Sequence, residues 1–249
     1  NPSEIEEAVQ WAKEKNVPIF ILGGGTNLLI DDNGFDGLVV KPDLKILEKH
    51  GDEVTAGASV LISDFLEFCI TNKLSGFEWA GGLPGTIGGA VRGNAGAFGG
   101  ETKDSVISAK SFDCVAREMR TRVNDECKFG YRMSVFKEKN GEEIVLETTF
   151  RFVAGDSAEI REATEAKVNY RKEKHPLEYP NIGSIFKNVD VQKFAGRDLG
   201  NLKVKNDPFP VVPTAALIAE TGLKGIREGD AMVSTKHPNF IVNLGSAKA

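Results

Sequence analysis

The stretch GGLPGTIGGAVRGNAGAFGG, residues 81 to 100, places nine glycines in twenty positions of a chain whose composition is otherwise ordinary. Glycine allows positive φ and lets another surface reach contact distance with the backbone. A short glycine run is a turn or a bulge, but nine glycines interleaved with Thr86, Asn94 and alanines imply a backbone that something large approaches. A second cluster, GGGTN (Gly23 to Asn27), follows VPIFIL (Val17 to Leu22), which reads as a buried strand feeding a glycine turn. Two such clusters point to a large ligand, since consecutive backbone N–H groups can cradle a diphosphate. The dinucleotide pattern G-x-G-x-x-G is not met, because its third glycine falls at Leu28, and no G-x-x-x-x-G-K-[ST] occurs. Neither a Rossmann nor a P-loop fold is expected.

Outward from these clusters, the chain begins with a helix. Ser3 and Glu6 form an S-x-x-E capping box, and Ile5, Ala8, Val9 and Ala12 repeat on one face to about Asn16. GLVV and DEVTAG read as short strands, and LISDFLEFCITNKL as a largely buried helix. From Ser105 to Val153 the segments SVISAKSFDC, REMRTRV and EIVLETTFRFV are strands separated by turn residues. A long polar helix follows, with Asp156 as N-cap and Glu159 completing its box, and a domain boundary is placed near Ala154. DPFPVVPTAALIAETGLKG reads as a proline-rich approach to a short apolar helix that stops at Gly222, and PNFIVNLG as a strand.

At 249 residues, with 41% hydrophobic and 27% charged residues, the chain has room for one large domain or two smaller ones. No apolar run nears the roughly 18 residues of a membrane span. A formal charge of -5 argues against a nucleic-acid-binding face. Cys69, Cys114 and Cys127 are too few and scattered for a disulfide framework, so a reducing cytoplasm fits. His50, His175 and His237 fall in no metal motif, and no metal is expected. The chain is expected to be a monomer without membrane or nucleic-acid partners. It opens on Asn1 and carries no signal peptide, which reads as a fragment or a processed chain.

Five motifs in order, GGGTNLLI (23–30), GLPGTIGGAVRGNAGAFGGE (82–101), FGYRMSVFK (129–137), GSIFKN (183–188) and HPNFIVNLG (237–245), resemble the UDP-N-acetylenolpyruvoylglucosamine reductase family, in its more compact subclass. The resemblance implies an α+β protein with a two-part FAD-binding region of the vanillyl-alcohol-oxidase type, residues 1–154 with a break near 50. A substrate-binding domain, 155–249, follows and is read as incomplete at its C-terminus. FAD contacts are implied for Gly23, Gly24, Gly25, Thr26, Asn27, Leu28, Gly82, Pro84, Gly85, Thr86, Gly88, Gly89, Asn94, Gly96 and Ala97.

The implied reaction has NADPH reduce the flavin, which passes hydride to the enolpyruvyl β-carbon of UDP-N-acetylglucosamine enolpyruvate. Ser184 matches the family's proton donor to the α-carbon, and Arg132 matches an arginine that stabilises the enolate. Read without the resemblance, Ser184 is a turn residue and Arg132 a surface ion-pair partner as readily as an active-site cation. Tyr131, Lys172, Lys187, Asn188, His237 and Asn239 are the implied substrate-binding residues; read without the resemblance, Lys172 is more simply a solvated lysine, and a packed or capping role fits His237 and Asn239 equally well. Val189 stands where the family has proline, and Leu83 where it has isoleucine. The family continues past NLGSAKA to a strand bearing a catalytic glutamate, a role that neither Glu220 nor Glu228 matches. A flavin or nucleotide-sugar binding module without catalysis is therefore the alternative reading, and an oxidase on the same fold a third.

Overall fold

The computed structural model describes residues 2–249. It divides into two compact units, the first formed by residues 1–25 and 34–168 and the second by 26–33 and 169–249.

In the first unit, helix α1 (Pro2–Lys15) buries Ile5, Val9 and Ala12 at i, i+4 and i+7. The helix starts at Pro2, one residue before the Ser3 expected to cap it. Strand Ile19–Ile21 pairs in parallel with Leu38–Val40. The centre of the unit is an antiparallel sheet of five strands in the order Leu47–His50, Glu53–Gly57, Glu143–Arg151, Val106–Asp113, Glu118–Val123.

The strand Glu143–Arg151 feeds two cores. Ile144 and Leu146 meet Ile5 and Val9 of α1, while Val145 and Phe150 join the larger cluster on the other face. Strict alternation would put Val145 and Phe150 on opposite faces; a bulge between Val145 and Glu147, where this strand advances two residues against one of its partner, restores them to one. Helix α2 (Ile62–Thr71) buries Ile62, Phe65, Leu66, Cys69 and Ile70, a full i, i+3, i+4, i+7, i+8 stripe, and the first four of these join that larger cluster. Phe65 is the hub of its aromatic packing, with ring centroids 5.1 Å from Phe77 and 4.9 Å from Phe150. Cys69 and Cys127 are buried in the same core, and Cys114 is half-buried.

Residues 87–93, inside the glycine-rich stretch, form helix α3 (Ile87–Gly93), although three of the seven are glycine. Glycine costs about 1 kcal/mol against alanine in a helix, so tertiary contacts sustain it. Ile87, Ala90 and Val91 are buried, the Thr86 hydroxyl accepts from Gly89 N–H at 3.4 Å, and Asn94 closes the helix in the left-handed region at φ 41°. After the short helix α4 (Val135–Glu138), helix α5 (Ser157–Lys174) begins where expected. Asp156 caps it, accepting from the N–H groups of Ala158 and Glu159 at 2.8 and 3.2 Å.

The second unit contains two small antiparallel sheets. One orders Val189–Asp190, Pro210–Val212 and Lys205–Asn206; the other orders Arg227–Glu228, Ala231–Val233 and Ile241–Asn243. Helix α6 (Thr214–Glu220) ends at Gly222, whose φ of 72° is the left-handed stop expected there. Among the described residues no helix is long and apolar enough to cross a membrane.

Candidate active site

The nine glycines of 81 to 100 separate by what a Cβ would meet. At Gly88 it would lie 2.8 Å from the Ala58 Cβ, and at Gly96 2.8 Å from the Gly100 carbonyl oxygen, so the protein itself makes those close approaches. Gly85 holds φ 112°, a backbone that side chains avoid. Gly89 and Gly93 are different. A Cβ on Gly89 would meet only the Thr86 hydroxyl, at an ordinary 3.6 Å, and one on Gly93 nothing within 4 Å. No packing or backbone reason requires glycine at these two.

The first helical N–H groups of α3 are already committed. Ile87 N–H donates to Val60 O at 2.9 Å and Gly88 N–H to Ala58 O at 2.9 Å. In the other glycine cluster, among the described residues, the N–H groups of Gly23, Gly24 and Gly25 donate to no protein group, and all three residues are exposed. Gly23 and Thr86 are neighbours, since a Cβ on Gly23 would lie 3.1 Å from the Thr86 hydroxyl. Gly82 and Pro84 are exposed beside this region, and Ala97 lies on the Gly96–Ala97 strand paired with Gly100–Glu101. Arg92, which the sequence reading passed over, lines a cleft of about 80 Å³ with Gly23, Thr86, Gly88 and Gly89. Its position three and four residues after Gly89 and Gly88, on one helical face, was the available signal.

Asn94 is fully buried and its amide is used inside the protein. It donates to Gly130 O at 3.0 Å and accepts from Lys103 N–H at 3.1 Å. Gly130 and Met133 exchange both backbone hydrogen bonds at 3.0 Å, and within that turn Arg132 sits at φ 57°. Its guanidinium donates to Gly96 O at 2.6 Å and lies 5.1 Å from the Tyr131 ring centroid. Asn94 therefore anchors the turn that carries Arg132, and Gly96 aims the side chain.

In the second unit, Ser184 is exposed on a loop shaped by Gly183 at φ 83°, whose N–H donates to the Asn181 side chain at 3.0 Å. Asn239, 4% exposed, clamps the other end of the loop. Its side chain accepts from Phe186 N–H at 3.0 Å and donates to Phe186 O at 2.8 Å, while its own carbonyl accepts from Ile185 N–H at 2.9 Å. The Asn188 side chain accepts from Thr214 N–H at 3.2 Å at the start of α6. Asn27 reaches the same loop, its Oδ1 3.9 Å from where a Gly183 Cβ would stand. Thr26 is exposed and Leu28 half-buried, and Lys172 and Lys187 are exposed. His237 packs its ring 5.3 Å from His175 and 4.8 Å from Phe240, with a buried Nδ1 that has no hydrogen-bond partner. Burial pushes the His237 imidazole below its ordinary pKa, and burial together with His237 pushes His175 down to about 4.

A UDP-N-acetylenolpyruvoylglucosamine reductase of Clostridium perfringens is 36% identical over 100% of this chain and 75% of its own length. The chain belongs to the UDP-N-acetylenolpyruvoylglucosamine reductase family. A Lactobacillus acidophilus protein of the same name is 39% identical over 99% of this chain and 75% of its own. The family's C-terminal domain matches residues 175–249, and an FAD binding domain matches residues 1–121. The crystal structure of the reductase from Thermus caldophilus superposes with a TM-score of 0.73 at 29% identity, covering 100% of this chain and 80% of that one. A solvent-stable cholesterol oxidase shares the fold over 62% of this chain and 33% of its own at 15% identity, with a TM-score of 0.50. The α+β flavin-binding fold expected from the motifs is thus present.

The residues of this reductase family member fit FAD. Gly23 to Gly25 offer unengaged N–H groups, and Gly89 and Gly93 keep a helix surface bare for no reason internal to the protein.

Proposed function

We propose that this chain catalyses the reaction its family is named for, the NADPH-dependent reduction of UDP-N-acetylglucosamine enolpyruvate to UDP-N-acetylmuramate in peptidoglycan precursor synthesis, with FAD as cofactor. What carries the proposal is a likeness that runs through the whole chain and both matched domains. FAD, when bound, supplies a two-electron relay between the nicotinamide and the enolpyruvyl double bond. Residues 1–154 are assigned to the cofactor and 155–249 to the substrate. The chain acts as a monomer in the cytoplasm, where nucleotide-linked sugars and NADPH are found.

Reduction at the β-carbon places negative charge on the enolpyruvyl carboxylate side of the substrate. Arg132 stabilises that charge, with its guanidinium direction set by Gly96 O before the substrate arrives. Ser184 Oγ delivers the proton to the α-carbon, and a neutral hydroxyl does so only from a fixed position. The Asn239 clamp on Phe186 supports that fixity. Lys172, Lys187 and Tyr131 supply recognition of the anionic nucleotide sugar. Asn188 and His237 act through the loop and the aromatic cluster they hold.

The test follows bound flavin anaerobically, first with NADPH and then with the enolpyruvyl sugar. Bleaching followed by recovery is the expected result. In Ser184→Ala the bleaching persists and recovery is slowed at least ~100-fold, because only the second half-reaction needs that proton. Equal loss of both half-reactions would remove Ser184 from its role, and bleaching without recovery in the unmodified chain would leave a flavin-binding module.

A further inference from the structure

We propose that Arg92 is the counter-charge for the diphosphate of the flavin cofactor; the inference rests on the FAD reading above. The cleft it lines holds about 80 Å³ and has room for a phosphate group. Nearly every polar group on its walls is already engaged. Ser59 donates to Pro42 O at 2.6 Å and accepts from Leu44 N–H at 3.0 Å, and Thr86 accepts from Gly89 N–H. The one acid on the walls, Glu143, is held by Arg122 at 2.7 Å, Lys139 at 2.8 Å and Ser111 at 2.6 Å.

Arg92 stands apart from this order. Among the described residues no hydrogen bond or ion pair engages its guanidinium, and only its backbone carbonyl is used, accepting from the Ser134 hydroxyl at 2.7 Å. The residue is exposed at the mouth of the cleft, and the partial desolvation of its guanidinium lowers its pKa from the ordinary arginine value. Arg122 next to Glu143 is shifted the opposite way. A guanidinium without a protein partner, lining the same cleft as the unengaged Gly23 N–H, is complementary to a phosphate, which a guanidinium fork binds through two parallel hydrogen bonds. Gly89, one turn earlier on the same helical face, leaves the approach clear.

The test titrates the full chain, freed of flavin, with FAD and with riboflavin, reading quenching of flavin fluorescence at two salt concentrations. Arg92→Gln is expected to weaken FAD ~10- to 100-fold and to leave riboflavin, which has no phosphate, unchanged. Arg92→Lys is expected to recover part of the loss, and the salt dependence of FAD binding is expected to be shallower in Arg92→Gln. FAD binding at the unmodified affinity in Arg92→Gln would overturn the proposal, as would equal loss of FAD and riboflavin. So would a loss confined to NADPH or to UDP, which would give the cleft to another phosphate. If the unmodified chain binds neither flavin, the cofactor reading falls and this inference with it; if it binds FAD and the variant is indifferent, only this inference falls.

Discussion

Two asparagines implied as ligand contacts have their side chains occupied within the protein. Asn94 secures the turn bearing Arg132, and Asn239 secures the loop bearing Ser184. Replacing Asn239 by alanine leaves the Phe186 N–H and carbonyl without their side-chain partner near a buried position, and about 2 kcal/mol of stability is expected to be lost in urea unfolding. The same variant is expected to slow recovery of oxidised flavin by the enolpyruvyl sugar while leaving NADPH bleaching unchanged. A purely structural asparagine would lower both only in proportion to the unfolded fraction.

At the scale of elements, α3 separates glycines kept for packing from glycines kept for a ligand. Gly88→Ala pushes a Cβ to 2.8 Å from the Ala58 Cβ and 3.1 Å from its carbonyl oxygen, and a loss of about 1–3 kcal/mol is expected. Gly89→Ala meets no such obstacle and gains helix propensity, so the flavin-free protein is expected to become more stable by up to about 1 kcal/mol while its FAD affinity falls. Thermal melts and flavin titration of the two variants check this opposition. The apolar stripe of α2, the Asp156 cap and the Gly222 stop were legible because each depends on local spacing alone. Helix α3 was not, since every local preference of its glycines opposes it and long-range contacts from residues 58 and 60 sustain it. The polar edge strand Leu47–His50 was also missed, having only partial burial to mark it. Motifs indicated which loops carry Arg132 and Ser184, but the partners that fix those loops lie 36 and 53 residues away in sequence.

For the molecule as a whole, a half-buried histidine and a buried glutamate, one in each unit, shape the response to acid. His175 has a folded pKa near 4, below its ordinary 6.5, because burial and His237 oppose its charge. The unfolded chain binds that proton first, so stability is expected to fall as pH drops from about 6.5 toward 4. Glu143, whose side chain is fully buried, is held down to about 2 from 4.5 by Arg122, Lys139 and Ser111 against the cost of burial. Its contribution is present above pH 4.5 and is lost as pH falls toward 2, on the order of 2–3 kcal/mol. Melting temperatures from pH 7 to pH 3 check both windows. His175→Gln is expected to flatten the upper one, and Glu143→Gln to flatten the lower one while reducing stability at neutral pH by leaving Arg122 without its carboxylate and Lys139 with Asp113 alone.

The three cysteines all fall in the first unit, and burial pushes Cys69 and Cys127 up to about 12 and Cys114 to about 11. Thiolate, the species that reacts, is therefore scarce at neutral pH as long as the fold is closed. Alkylation at Cys69 and Cys127 must await an opening of the core around α2, so their labelling rate is a clock for that event. Because the second unit holds no thiol, the clock reads one half of the chain and is blind to the other.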